Sequence, residues 1–227
     1  MNLKNFKKTL FLFVSISCCS MCTNRAQQAV EYYNDAIGDL EQGKYQFAIS
    51  KLTEAIYLDS TFLPAFYLKG ICLYDLKRYQ EAIVDFSYCI SKDTTKGTFY
   101  LYRSDSYRKM QQLETALQDL DRAGLLTSVA PGIVHPLFAD EKQDLYDVIT
   151  VFDIIIRRGE ILMKLERYMD AIVAYTDCLR MGDRTVIKDR AYCLYKLGHK
   201  DYACKDIMQA ITWGDTTVSA LKHSYCD

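Results

Sequence analysis

Apolar side chains recur three and four residues apart along most of this chain, which is the period of an α-helix with one buried face. The pattern is plainest in three segments: GKYQFAISKLTEAI at 43–56, KRYQEAIVDFSYCI at 77–90 and ERYMDAIVAYTDCL at 166–179. Ala48, Ala82 and Ala116 are spaced by 34 and 34 residues, and Ala171 and Ala203 follow at 55 and 32. Seven residues after each comes a small side chain, at Ala55, Cys89, Ala123, Cys178 and Ala210. Four residues after each comes a large one, at Leu52, Phe86, Leu120, Tyr175 and Ile207. Twelve residues before each lies another small one, at Ala36, Gly70, Ser104, Gly159 and Ala191. Agreement at four offsets in five units establishes an internal repeat. Each unit predicts two antiparallel helices that approach closely through small residues, so Gly70 is expected against Ala82 and Gly159 against Ala171. A single hairpin of this kind leaves an apolar face open, and stacking on neighbours covers it.

These residues resemble the tetratricopeptide repeat, whose unit is 34 residues long. In the second unit Phe66, Gly70, Leu73, Tyr79, Ala82, Phe86 and Cys89 stand at the signature places. The resemblance implies an all-α fold, a right-handed superhelix (solenoid) of about five helix hairpins with a C-terminal capping helix. Units one to three tile 29–62, 63–96 and 97–130; units four and five run about 152–183 and 184–217. The remaining organisation is a signal peptide at 1–18, a tether at 19–28, an insert at 131–151 and a cap at 218–227. The repeat's terminal proline is missing from every unit, and Lys200 stands where an aromatic is usual. The insert carries Pro131 and Pro136, which argue for a loop, and turns helical in pattern after Asp140. It either lengthens the next helix and covers a seam, or protrudes and shapes a binding surface.

Composition changes the picture little. Among 227 residues, 28 basic and 29 acidic side chains leave a formal charge of -1, which gives no electrostatic reason to expect nucleic acid. The N-terminus is more informative. Lys4, Lys7 and Lys8 precede the apolar run Leu10–Ile16, and small residues follow, as in an export signal. VSISC at 14–18 resembles a bacterial lipobox, with Cys18 as lipid acceptor and Cys19 as the fallback; the other reading is an ordinary secretory signal. Both imply export. The lipobox further implies a lipid anchor in the bacterial membrane, expected to be the outer one, with the protein facing the periplasm or exterior.

Cys72, Cys89, Cys178 and Cys193 fall at repeat positions that suit small buried residues. The stretch from Tyr202 to Cys226 resembles the closing pattern of exported tetratricopeptide proteins of Gram-negative bacteria. That resemblance implies a Cys204–Cys226 disulfide pinning a capping helix over Thr216–Tyr225. Free thiols at these two positions, or a zinc site of the same cysteines with His199 and His223, are the alternatives. His135 is the only other histidine, and the chain has no GxSxG, phosphate loop or HExxH. No enzyme, cofactor, metal or small-molecule substrate is expected.

The resemblance also places the first helix of each unit on a concave surface. The inward positions are Tyr33, Ile37 and Leu40; Tyr67, Ile71 and Tyr74; Leu101, Asp105 and Arg108; Ile156, Glu160 and Met163; and Lys188, Tyr192 and Tyr195. Such a groove is aromatic at both ends and charged in the middle, and suits a peptide or helix of an envelope protein. Each tyrosine either meets a guest or packs on the adjacent helix. A glycan- or peptidoglycan-associated role, with the rings stacking on sugars, is the alternative. Tyr33 and Ile37 stand where a clamp for a C-terminal carboxylate needs Lys and Asn, which disfavours a chaperone-tail receptor.

Overall fold

The computed structural model describes residues 24–127 and 151–226, and every regular element among them is helical. The described chain forms two compact units, one ending at Asp93 and one beginning at Thr94. In the first, α1 (24–41) pairs with α2 (Tyr45–Leu58), and α3 (Leu63–Asp75) with α4 (Tyr79–Lys92). In the second, α5 (Gly97–Lys109) pairs with α6 (Leu113–Thr127), α7 (Val151–Lys164) with α8 (Tyr168–Arg180), and α9 (Ile187–Lys196) with α10 (Lys200–Thr212). A 3-10 turn (Thr216–Val218) then leads into α11 (Ser219–Cys226). Residues 24–28, assigned to the tether by sequence, already belong to α1. Residues 1–23, with the expected signal peptide, Cys18 and Cys19, and residues 128–150, with all of the insert but its last residue, lie outside the described residues.

The repeat positions form the core. All five alanines from Ala48 to Ala203 are fully buried, and so are Ala55, Cys89, Ala123 and Cys178. At the two glycines of the repeat the close approach also brings in aromatic rings, which the sequence reading did not anticipate. A Cβ placed on Gly70 would lie 2.7 Å from Phe86 Cε1, and one on Gly159 would lie 2.4 Å from Tyr175 Cε1. The atoms nearest such a Cβ thus belong to aromatic rings in both hairpins. Position by position, the small residue of the first helix and the large residue of the second are sixteen apart: Ala36 and Leu52, Gly70 and Phe86, Ser104 and Leu120, Gly159 and Tyr175, Ala191 and Ile207. Glycine accompanies a ring and alanine or serine accompanies an aliphatic chain, so the summed volume stays nearly constant, as close packing requires. Ser104 adds a polar tie, its Oγ donating to the Ala116 carbonyl at 2.7 Å.

One residue earlier in the same register lies an ion pair. Arg103 grips Asp119 through Nε and Nη2, both at 2.7 Å, and Arg190 grips Asp206 at 2.8 and 2.7 Å. Lys69 reaches Asp85 through one oxygen, at 3.2 Å. In the first hairpin the signs reverse, with Lys51 against Asp35 and Asp39. The fourth hairpin has Ala174 where the acid would be, and Arg158 turns to Asp121 of α6 at 2.9 Å instead.

The turns inside the hairpins repeat as faithfully. Gly43, Lys77, Gln111, Glu166 and Gly198 all have positive φ, between 57° and 80°. The next N–H in each case donates back to the first helix, as in Lys44 to Asp39 and Arg167 to Leu162, at 2.8 and 2.9 Å. This is the Schellman closure of a helix C-terminus. Between hairpins an Asp-x-Thr turn stands near the place of the missing proline. Asp59, Asp183 and Asp215 each accept from the backbone N–H and the hydroxyl of the threonine two residues on.

Two measurements check this account. Gly70→Ala pushes a methyl into the Phe86 ring and should lower stability by about 1–3 kcal/mol; adding Phe86→Leu should recover part of that loss. Equal losses in single and double variants would contradict the packing. The second concerns Asp85, whose pKa burial raises to about 6 while Lys69 pulls the other way. The folded state then holds its proton over a range where the unfolded state has lost it, so this group lowers stability as pH rises from about 4 to about 6. Asp85 Oδ2 has no hydrogen bond. Lys69→Arg supplies the second donor found at Asp119 and Asp206 and should flatten that slope in urea titrations.

Candidate partner-binding surface

The inward positions of the first helices are what the core leaves over, and their exposure sorts them. In the first unit Tyr67 is completely buried, its ring edge-on to Phe86 with centroids 6.1 Å apart. Tyr33 is buried too, against Phe62 at 5.3 Å. Both sit in the core, which corrects their place among the guest-facing residues: large flat rings here fill the space between neighbouring helices. Ile37, Leu40, Ile71 and Tyr74 remain half-buried, with the Tyr74 ring 5.4 Å from Tyr79 at the start of α4. The surface these offer is mainly apolar.

In the second unit the inward face changes character from α5 to α9. Leu101 is buried, and Asp105, only 4% exposed, is the centre of a charged network. Its Oδ1 accepts from Arg108 Nε and Nη2 at 3.1 and 3.0 Å, and its Oδ2 pairs with Arg157 of α7. Arg108 Nη1 also donates to Glu160 at 3.3 Å. Two guanidinium groups thus neutralise one buried carboxylate, and Glu160 balances the excess charge nearer the surface. Asp105, Arg108 and Glu160 were among the inward positions read from the sequence; Arg157 was not. It lies 52 residues from Asp105 across the insert, where no repeat spacing points to it.

On α9, Lys188 is exposed and Tyr192 is 39% exposed. The Tyr192 ring meets Tyr168 edge-on at 6.3 Å and has the Lys196 ammonium 5.3 Å from its centroid. A hydrogen bond with Tyr192 raises the pKa of Lys196, keeping its charge firmly in place. Burial holds the Asp189 carboxyl above its ordinary range; Lys188 opposes this and Glu160 adds to it. Tyr195 is half-buried and stacks flat on Tyr225 of α11, with centroids 4.5 Å apart. Ile156 and Met163 are half-buried. The arrangement provides a ring, flanking ammonium groups and partly exposed carboxylates, which suits recognition by stacking and hydrogen bonding.

A disulfide joins Cys204 and Cys226. Those sulfurs are thereby committed to each other instead of to a metal shared with His199 and His223. Among the described residues no three His, Cys, Asp or Glu side chains gather to hold a metal ion. Cys72, Cys89, Cys178 and Cys193 are free thiols in the core.

No family model and no curated protein matches the chain. Solved structures do. The MamA protein superposes with a TM-score of 0.69 at 16% identity, over 82% of this chain and 91% of that one. YrrB, described as a TPR protein with an unusual peptide-binding site, gives 0.67 at 16% identity, over 86% and 92%. A tetratricopeptide repeat protein from Parabacteroides merdae gives 0.70 at 16% identity, over 88% and 72%. The fold is thus that of a tetratricopeptide repeat array.

The charged network has a measurable weight. Asp105→Ala strips the carboxylate from two partly buried guanidinium groups and should cost about 3 kcal/mol in a urea unfolding curve. Glu160→Gln, at the more exposed end, should cost less than about 1 kcal/mol. Equal effects would show that Asp105 is not the centre.

Proposed function

We propose that the protein is a non-catalytic interaction scaffold of the bacterial cell envelope, holding an extended segment or a helix of a partner protein on the inward faces of its first helices. The observation that carries this reading is the α9 face, where Tyr192 stands partly exposed between Lys188 and Lys196. Tyrosine suits such a place because its stiff ring loses little entropy on contact and its hydroxyl can bond to a peptide backbone. The half-buried Ile37, Ile71 and Tyr74 offer a second, apolar surface in the first unit. The fold is shared with a protein described by its peptide-binding site, which supports the same class of role. Fold likeness leaves the partner open. Export and a lipid on Cys18, or on Cys19, would put these surfaces at a membrane while the repeats stay in water.

A photo-crosslinking residue at Tyr192 or Tyr74, introduced in intact cells, is expected to trap a discrete protein, and the same residue at buried Tyr67 is expected to trap none. Adducts to glycan, with peptidoglycan fragments binding the purified protein in titration, would replace the protein partner with a sugar polymer. Equal trapping at all three positions would remove the proposed surface. In parallel, a clickable fatty acid should label the wild-type chain and lose that label in Cys18→Ser; persistence in Cys18→Ser and loss in Cys19→Ser would move the anchor by one residue.

A further inference from the structure

The end of the second unit links its only cross-linked sulfurs among the described residues to the inward face of α9. Gly182, Asp183, Thr185 and Val186 before α9 reappear 32 residues later as Gly214, Asp215, Thr217 and Val218 before α11. Both segments make the same Asp-x-Thr turn. By this register α11 enters the fold as the first helix of another hairpin would. Val218 and Tyr225 are buried in a cluster with Ile187, Ala191, Ile207 and Ala210, while Lys222, His223 and Ser224 face water. The helix has only eight residues, too few to hold its shape in water without support. Its last residue is Cys226, bonded to Cys204 in α10. The residue before it, Tyr225, lies flat against Tyr195 at 4.5 Å and an interplanar angle of 10°.

We propose that the Cys204–Cys226 bond is a redox-operated latch on the inward face of α9. Oxidised, it clamps α11 so that Tyr225 backs the Tyr195 ring; reduced, α11 detaches, Tyr195 loses its support and the apolar edge of the last hairpin is uncovered. The reductant is a dithiol. One of its thiolates attacks a protein sulfur to form a mixed disulfide, and its second thiol displaces that sulfur. The reagent leaves as its own disulfide, and Cys204 and Cys226 take up two electrons and two protons as thiols. The other described cysteines do not compete. Cys72, Cys89 and Cys193 are buried with pKa values pushed up to about 12, and Cys178 to about 11, so they carry almost no thiolate. The consequence for guest binding rests on the reading above, whereas the latch itself is measurable with no guest present.

Limited trypsin digestion of the full chain, with and without dithiothreitol, follows cleavage after Lys222 in α11. Hydrogen exchange over 187–196 follows α9, and exchange over 79–92 serves as the control. Reduction is expected to speed Lys222 cleavage and α9 exchange by about tenfold or more while α4 stays protected. Cys204→Ser should behave in this way without reductant and should not respond further to it. Unchanged rates at both places on reduction would overturn the latch. So would a dithiothreitol response that persists in Cys204→Ser, because another sulfur would then be responsible. Faster Lys222 cleavage without a change in α9 would also overturn it, leaving the bond as a local fastening of the terminus.

Discussion

Each hairpin depends on an exchange of volume between two positions sixteen residues apart. The first helix gives up a side chain so that the second can push one through. Where the first gives up everything, as at Gly70 and Gly159, a whole ring enters; where it keeps a methyl or hydroxyl, the intruder is Leu or Ile. The distance between helices is then set by atoms in contact, and overfilling either site forces the pair apart. The fully buried alanines between them hold the same spacing along the rest of the contact.

Charge follows this steric frame and does not create it. The Arg103–Asp119 and Arg190–Asp206 pairs and the Lys69–Asp85 pair all sit one residue before the volume exchange, where the two helices already face each other. Their differing quality shows what the side chains add. A guanidinium satisfies both carboxylate oxygens in one plane, while an ammonium engages one and leaves Asp85 Oδ2 bare. The inward face is built from the positions that remain after core and ion pairs have taken theirs, which is why it holds both the Asp105 network and the half-exposed ring of Tyr192.

The repeat, the helix pairs and the core were legible because small and large residues recur at fixed offsets, and periodic burial is the strongest signal a single chain carries. What faces what was less legible. Periodicity marks Gly70 and Phe86 as special without saying that they meet, so the rings that press on the glycines were not foreseen. The inward positions were also overcounted: Tyr33 and Tyr67 follow the inward register, yet their rings turn into the space between neighbouring helices. Arg157 escaped because its partner lies across an interruption of the repeat. The Asp-x-Thr turns were in plain view at Asp59, Asp183 and Asp215, but attention to a missing proline hides the residues that take over its task.

The missing acid at Ala174 has an effect away from its own hairpin. With no carboxylate opposite it, Arg158 reaches back to Asp121, alongside Arg157 to Asp105 and Arg108 to Glu160. Three bridges therefore fasten α5 and α6 to α7 on either side of residues 128–150. The register of the helices on the two sides is thus held by charge as well as by packing, independently of the residues that join them in sequence.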